Sequence, residues 1–233
     1  MRQFSNRYIF VFSTVMVVIV AVLLSLAATL LQPAQERNQE IEKKKSMLES
    51  IRIPASRQNA VELYDKYIRE SFVINTRGEV LEGIDAFNVA LRNEQRKPAE
   101  QQSLPVFRAV TDEGEQVIIL PLEGKGLWGP INGYISLRRD MNTVYGVTFD
   151  HKGETPGLGA EINTPGFENM FRDKKLYEDQ TFVSVKVVKG GARKDDVHGV
   201  DAVSGGTITS RGLENMLFDC LEKYNDYLLK NRN

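Results

Sequence analysis

The chain has 233 residues, 42% of them hydrophobic and 26% charged, which fits one folded domain plus an appendage rather than two large domains. Thirty basic residues against thirty-one acidic ones leave a net charge of −1, which argues against nucleic acid as a partner, since that calls for a basic patch. The single cysteine, Cys220, excludes an internal disulfide and a cysteine-ligated iron–sulfur cluster within the chain, and His151 and His198 lack metal-ligand spacing, so no metal site is expected.

Tyr8 to Leu31 is a run without a charge. At about 1.5 Å per residue it is long enough to cross a bilayer core of about 30 Å. It exceeds the apolar region of about 7–15 residues in a signal peptide, so a retained anchor is expected. Arg2 and Arg7 precede the run and Lys43, Lys44 and Lys45 follow it, so the positive-inside rule does not fix the orientation alone. A cytoplasmic tail (1–7), a span (8–31), a charged juxtamembrane linker helix (32–58) and an extracytoplasmic domain (59–233) are expected. Pro54 ends the linker helix.

Within the domain, Ala60 to Tyr67 reads as a short amphipathic helix. Phe72–Asn75 reads as a strand with a turn at Thr76-Arg-Gly78. Asp85 to Arg96 is helix-like and stops before Pro98. Val106–Val110, Gln116–Leu122, Ile131–Leu137 and Val144–Phe149 follow as strand candidates with short turns, which implies antiparallel pairing. Phe182–Val188 is expected as a fifth strand. Leu213, Met216, Leu217, Cys220, Leu221, Tyr224 and Leu228 recur at helical spacing, the stripe of a carboxyl-terminal helix packed on the sheet. The fold class is therefore α+β, with an amino-terminal transmembrane helix before a mostly antiparallel sheet packed with helices. Cys220 lies on the apolar stripe and is expected to be a buried hydrophobe.

Three glycine-bearing segments stand out. Gly124-Lys-Gly-Leu-Trp-Gly129 spells G-x-G-x-x-G, but a strand rather than a helix follows it, so it fails as a dinucleotide fingerprint and reads as a hairpin loop. Trp128 there can stack on a flat ring or fill an apolar gap. Gly153-Glu-Thr-Pro-Gly-Leu-Gly159 reads either as a plain glycine-rich connection or as a backbone wall for a ligand, with Leu158 against an apolar face. Asp201-Ala-Val-Ser-Gly-Gly-Thr-Ile-Thr-Ser210 places hydroxyls around Gly205 and Gly206, just before a helical pattern. It reads either as a turn with Thr209 or Ser210 as helix cap, or as a phosphate-binding helix start.

Asp201-x-x-Ser-Gly-Gly-Thr207 resembles the flavinylation motif Asp-x-x-Ser-Gly-Ala-Thr, with Gly206 where the family has alanine. With Gly124–Gly129, Glu154-Thr-Pro-Gly-Leu-Gly-Ala-Glu161 and the anchor, the chain resembles the NqrC family, one of the six components of the sodium-translocating NADH:quinone oxidoreductase. The resemblance covers the anchor and most of the chain from Leu120 onward; about 34–103 matches by position only. It implies FMN attached to Thr207 through a phosphoester by a separate magnesium-dependent flavin transferase, which moves FMN from FAD. A threonine hydroxyl needs an activating group, and no histidine or second carboxylate lies near Thr207 in sequence. The resemblance also implies cofactor-binding roles for Asp201, Ser204, Gly205, Gly206, Thr209, Glu154, Thr155, Gly157, Leu158, Gly159, Lys125 and Trp128. Ser204 and Thr209 are the candidate hydrogen-bond donors to the phosphate.

The same resemblance implies a component of a bacterial inner-membrane complex, with its domain on the periplasmic side. It would relay electrons from an iron–sulfur centre to another flavin-bearing component. Its partners would be NqrA, NqrB, NqrD, NqrE and NqrF, in a complex that oxidises NADH, reduces ubiquinone or menaquinone and exports sodium. The alternatives are the equivalent flavin-bearing component of the related Rnf ferredoxin:NAD oxidoreductase, a stand-alone extracytoplasmic flavin reductase, and a non-redox anchored binding module.

Overall fold

The structure, a computed structural model, describes residues 5–232. Arg2, counted above among the flanking charges, and the rest of the first four residues of the expected tail lie outside the described residues. The chain divides into two compact units, Met1–Lys43 and Lys44–Asn233. The first unit is most of one helix, α1 (Asn6–Ser50), which runs on through Pro33. Its apolar side chains from Tyr8 to Leu31 are exposed, and by length and composition the helix can cross a membrane.

The second unit begins earlier than the expected boundary at 59. The last turn of α1 carries Met47, Leu48 and Ser50, all buried, and Ile51 and Ile53 follow them into the interior. The charged stretch before them hides this apolar end in a sequence reading. After α2 (Ala60–Tyr67) come β1 (Ile68–Ile74) and β2 (Val80–Leu81). Asp85–Arg96 is not one helix: a single 3₁₀ turn at Ala86–Asn88 is followed by α3 (Leu91–Glu94). Asp85 caps the first turn by accepting a hydrogen bond from the Phe87 amide, and the extended backbone at Val89 separates the two pieces.

The remaining strands of the main sheet are β3 (Leu104–Val110), β4 (Gln116–Lys125), β5 (Pro130–Arg138) and β6 (Val144–His151). The six strands lie in the order β2-β1-β3-β4-β5-β6, and every pairing is antiparallel. Residues 117–120 are buried without interruption because both faces of the sheet are covered. Ile118, Leu120, Leu122, Ile135 and Leu137 share one core with Leu213, Met216, Leu217 and Leu221 of α5 (Thr207–Glu222). On the opposite face the Ser136 hydroxyl donates to the Ser50 carbonyl at 2.6 Å, tying the end of α1 to β5.

Between β6 and α5 the chain forms a 3₁₀ turn at Gly159–Asn163, α4 (Pro165–Glu168), β7 (Tyr177–Glu178), β8 (Thr181–Phe182), β9 (Lys186–Val188) and β10 (Gly199–Asp201); α6 (Asn225–Asn231) closes the fold. The expected fifth strand at Phe182–Val188 is thus two short pieces. β8 pairs with β7, and β9 pairs in parallel with β10, outside the main sheet. Ser184, at φ 59°, turns the chain between them, a left-handed conformation that ends regular strand geometry.

Candidate functional site

The three glycine-bearing segments, far apart in sequence, meet at one end of the main sheet. Gly124–Gly129 closes the β4–β5 hairpin: Gly124 and Lys125 end β4, and Pro130 opens β5. No helix follows, so the geometry of a dinucleotide turn is absent from this segment. Gly153–Gly159 follows β6, and Ala202–Gly206 leads from β10 into α5.

Glu154 joins the three. Its side chain is buried, at 5% exposure. One carboxylate oxygen, Oε1, accepts a hydrogen bond from the Trp128 amide at 2.9 Å. The other, Oε2, accepts from the Thr209 hydroxyl at 2.6 Å. The Glu154 amide donates to His151 Nδ1 at 3.3 Å. A Cβ placed on Gly126 would lie 2.5 Å from Oε1, and one on Gly159 would lie 2.5 Å from Oε2. Those two glycines are the space in which the carboxylate sits.

This arrangement changes the roles of two predicted residues. Glu154 spends both oxygens inside the protein and acts as a staple. Thr209, 1% exposed, gives its hydroxyl to Glu154, so that hydroxyl is not a free phosphate donor. Nor do Thr209 and Ser210 cap the helix, because α5 begins at Thr207 with Gly206 as its cap residue. The Ser210 hydroxyl instead accepts from the Val203 amide at 3.1 Å, closing the loop from within the first turn.

Thr207 is the first residue of α5 and is exposed. No side chain caps this helix start. The first bond of the helix register runs from the Ser210 amide to the Gly206 carbonyl, so the amides of Thr207, Ile208 and Thr209 have no helical partner. Unpaired amides and the positive end of a 16-residue helix suit a phosphate. Gly205 has φ 73°, and a Cβ there would lie 2.5 Å from Leu158 Cδ2, so the turn and the close packing of Leu158 both call for glycine. Gly206 has ordinary φ, −102°. A Cβ at Gly206 would sit 3.0 Å from Val203 Cγ1 and 3.3 Å from Gly159 Cα, so the family alanine fits after a shift of a few tenths of an ångström.

The surroundings also fit a flat, partly apolar ligand. Exposed apolar side chains are carried by all three segments: Trp128 at 69%, Ile208 at 60%, Leu127 and Leu158. Thr155 and Gly157 are exposed beside Leu158, and Ser204 is exposed beside Gly205. Asp201 Oδ1 accepts from the Ala192 amide at 2.7 Å, so it fastens the glycine turn at Gly190 and Gly191 to the end of β10. Lys125, exposed at the end of β4, is not among the contacts of Glu154. It lines a groove of about 660 Å³ between the hairpin and α5, with Arg92, Gln95, Asn215 and Lys223 among its other walls, and Trp128 is not one of them.

Sequence reasoning missed Gly212. A Cβ there would overlap the Lys125 carbonyl, so α5 lies backbone-to-backbone on the end of β4. A glycine inside a helical pattern was the available signal for such an approach.

Residues 126–222, which hold all three segments except Gly124 and Lys125 at the end of β4, match the FMN-binding domain family. Over 209 residues the chain is 34% identical to the C subunit of the Na(+)-translocating NADH-quinone reductase of Vibrio alginolyticus, covering 83% of this chain and 82% of that protein. This chain belongs to the NqrC family. A second family member, from Haemophilus ducreyi, is 32% identical over 212 residues, covering 84% of this chain and 82% of that one. The crystal structure of the corresponding Na(+)-translocating NADH-quinone reductase component from Parabacteroides distasonis shares the fold at a TM-score of 0.79 and 42% identity, covering 85% of this chain and 96% of that chain. Shewanella oneidensis NqrC gives a TM-score of 0.72 at 26% identity, covering 85% of this chain and 98% of that chain. Membership of the NqrC family separates the chain from the ferredoxin-linked alternative. Its FMN-binding region ends at Glu222, the last residue of α5, so the helix start at Thr207 and the Glu154 staple both lie inside it.

Proposed function

We propose that this NqrC family member is an electron-carrying flavoprotein whose FMN is joined through its phosphate to Thr207 Oγ1. The observation that carries the reading is the exposed, uncapped start of α5, with Thr207 as its first residue and the two other glycine segments pinned beside it. The amides of Thr207, Ile208 and Thr209 would hold the phosphate, and Ser204 would supply a hydroxyl. Leu158, Ile208 and Trp128 would offer apolar surface to the ring, and Thr155, Gly157 and Gly159 would offer backbone. Gly205 and Gly206 keep the loop close to Leu158 and Val203, and Lys125 adds a positive charge to the hairpin end. When bound, FMN supplies a centre that accepts and releases electrons singly or in pairs; the protein supplies orientation and tuning.

Attachment requires a second protein. In the reaction the Thr207 oxygen forms a bond to the FMN phosphorus of FAD, the pyrophosphate link breaks, AMP leaves and the hydroxyl proton goes to solvent. No described histidine or carboxylate is bonded to the Thr207 hydroxyl, so activation falls to a magnesium-dependent flavin transferase. A covalent link gives permanent occupancy where no free flavin is available to rebind, and it allows the ring to lie at a surface that partners can reach. α1 would anchor the chain in the inner membrane, with the domain on the periplasmic side. Within the six-component complex the chain would take electrons from an iron–sulfur centre and pass them to a second flavin-bearing partner, while NADH oxidation, quinone reduction and sodium export belong to the assembly.

The test is the intact mass of the full chain co-expressed with flavin transferase, followed by peptide mapping. An FMN-sized increment on the peptide holding Thr207 is expected. Thr207→Ala should remove it and leave the thermal midpoint unchanged, and Thr207→Ser should keep some of it. Flavin fluorescence persisting in a denaturing gel of Thr207→Ala would refute the site.

A further inference from the structure

At the end of the main sheet away from the β4–β5 hairpin lies a second cleft, of about 260 Å³. Its floor is apolar, formed by Ala109, Val110, Val117, Ile118 and Met141. Three arginines, Arg69, Arg108 and Arg139, are among its lining residues, with one acidic residue, Glu70. That carboxylate is already taken, since Arg108 donates to Glu70 Oε2 at 2.8 Å. Arg108 is further held by the Tyr227 hydroxyl at 3.5 Å and by the face of Phe72, 4.9 Å from the ring centre. Among the described residues, the Arg69 and Arg139 side chains have no hydrogen bond or ion pair.

The backbone puts Arg69 there by an irregularity. Ile68 pairs with Ala109 and Glu70 pairs with Arg108, so Arg69 is an extra residue, a bulge, in β1. Bulges re-aim a side chain and accompany binding sites. Arg139 arrives from the β5–β6 turn, where Asp140 is occupied with the amides of Asn142 and Thr143 and with the Thr143 hydroxyl. The acidic group nearest Arg139 in sequence is therefore turned to the backbone.

We propose that this cleft binds an oxyanion, phosphate or carboxylate, carried on a short apolar stem. Each of the two unpaired guanidinium forks can meet two oxygens of such a group, and the apolar floor takes the stem. The volume is below that of sites for drug-sized ligands, which run from about 300 Å³ upward, so a nucleotide is too large. The occupant is either a small soluble anion or the phosphate head group of an anionic lipid. The proposal stands apart from the flavin site and survives if that site fails.

The test uses the full chain in detergent. Titration with inorganic phosphate should show saturable binding that Arg69→Gln/Arg139→Gln weakens by about tenfold or more, the scale of losing charge-assisted hydrogen bonds. Arg77→Gln, at the β1–β2 turn, should leave it unchanged. In parallel, phenylglyoxal modification of Arg69 and Arg139 is read by mass spectrometry. Protection by inorganic phosphate supports a soluble anion. Protection only in nanodiscs containing phosphatidylglycerol, and not in pure phosphatidylcholine discs, supports a lipid head group. Absence of saturable binding together with absence of protection in both settings would overturn the proposal, as would equal binding by the double variant.

Discussion

Replacing Glu154 should loosen the three glycine segments that it ties together. Glu154→Ala removes the acceptor for the Trp128 amide and for the Thr209 hydroxyl. Hydrogen bonds to a charged partner are each worth about 1.5–3 kcal/mol, and the Thr209 side chain is left buried without its acceptor. Water can reach the Trp128 loop, where the indole is 69% exposed, and relieving the buried carboxylate of its desolvation recovers part of the loss. The net cost should be about 3 kcal/mol, a fall in thermal midpoint of roughly 6–12 °C for a unit of this size. Glu154→Gln should cost about 1–2 kcal/mol, because the amide can accept from Trp128 and donate to the Thr209 oxygen but has lost its charge. The assay is urea unfolding of the flavin-free full chain in a double-mutant cycle with Thr209→Val. A coupling of about 1.5 kcal/mol or more is expected for a direct charged hydrogen bond. Additivity within about 0.5 kcal/mol would show that the two groups do not meet, and the staple would be wrong.

Gly212→Ala should destabilise the domain by about 1–2 kcal/mol, because overpacking against the Lys125 carbonyl outweighs the gain in helix propensity of about 1 kcal/mol; a raised urea midpoint would contradict the close approach of α5 to β4. Cys220 is buried with its thiol donating to the Glu123 carbonyl, and burial raises its pKa, so iodoacetamide should label it only after unfolding; rapid labelling of the native chain would show the α5 face to be open. Burial is also the main cause that pushes the Glu168 carboxyl up to about 7, against hydrogen bonds from the Phe149 amide and the Thr148 hydroxyl and with Glu49 adding repulsion. A raised folded pKa means that its stabilising contribution is complete below the unfolded value of about 4.3 and is lost as pH rises through about 7. The stability of the wild type relative to Glu168→Gln should therefore decline between pH 5 and pH 8, and a difference that stays flat across that window would refute the assignment.

Much of this protein was readable from local pattern. The uncharged run from Tyr8 to Leu31 has only one regular structure that satisfies its backbone in lipid, and it is helical throughout. The strands from Leu104 to His151 have alternating or continuous apolar residues and short polar turns, so their existence and antiparallel pairing follow from local chemistry. The stripe from Leu213 to Leu228 fixed which residues are buried, but the one expected helix divides at Lys223 and Tyr224 into α5 and α6. The motif residues around Thr207 were likewise visible as residue types.

Tertiary contact decided the rest. Phe182–Val188 alternates like a strand but breaks at Ser184, because its halves find different partners. The end of α1 belongs to the core because one face of the sheet needs covering, a demand made by strands more than fifty residues later. Glu154 and Thr209 are separated by 55 residues, and nothing in either neighbourhood shows that one carboxylate oxygen meets the other's hydroxyl. Periodicity reports which side of an element faces inward, since that depends on neighbours along one helix or strand. It carries no record of which distant backbone gap a side chain fills, and the glycines at 126, 159 and 212 acquire their roles only when the sheet and α5 close on one another.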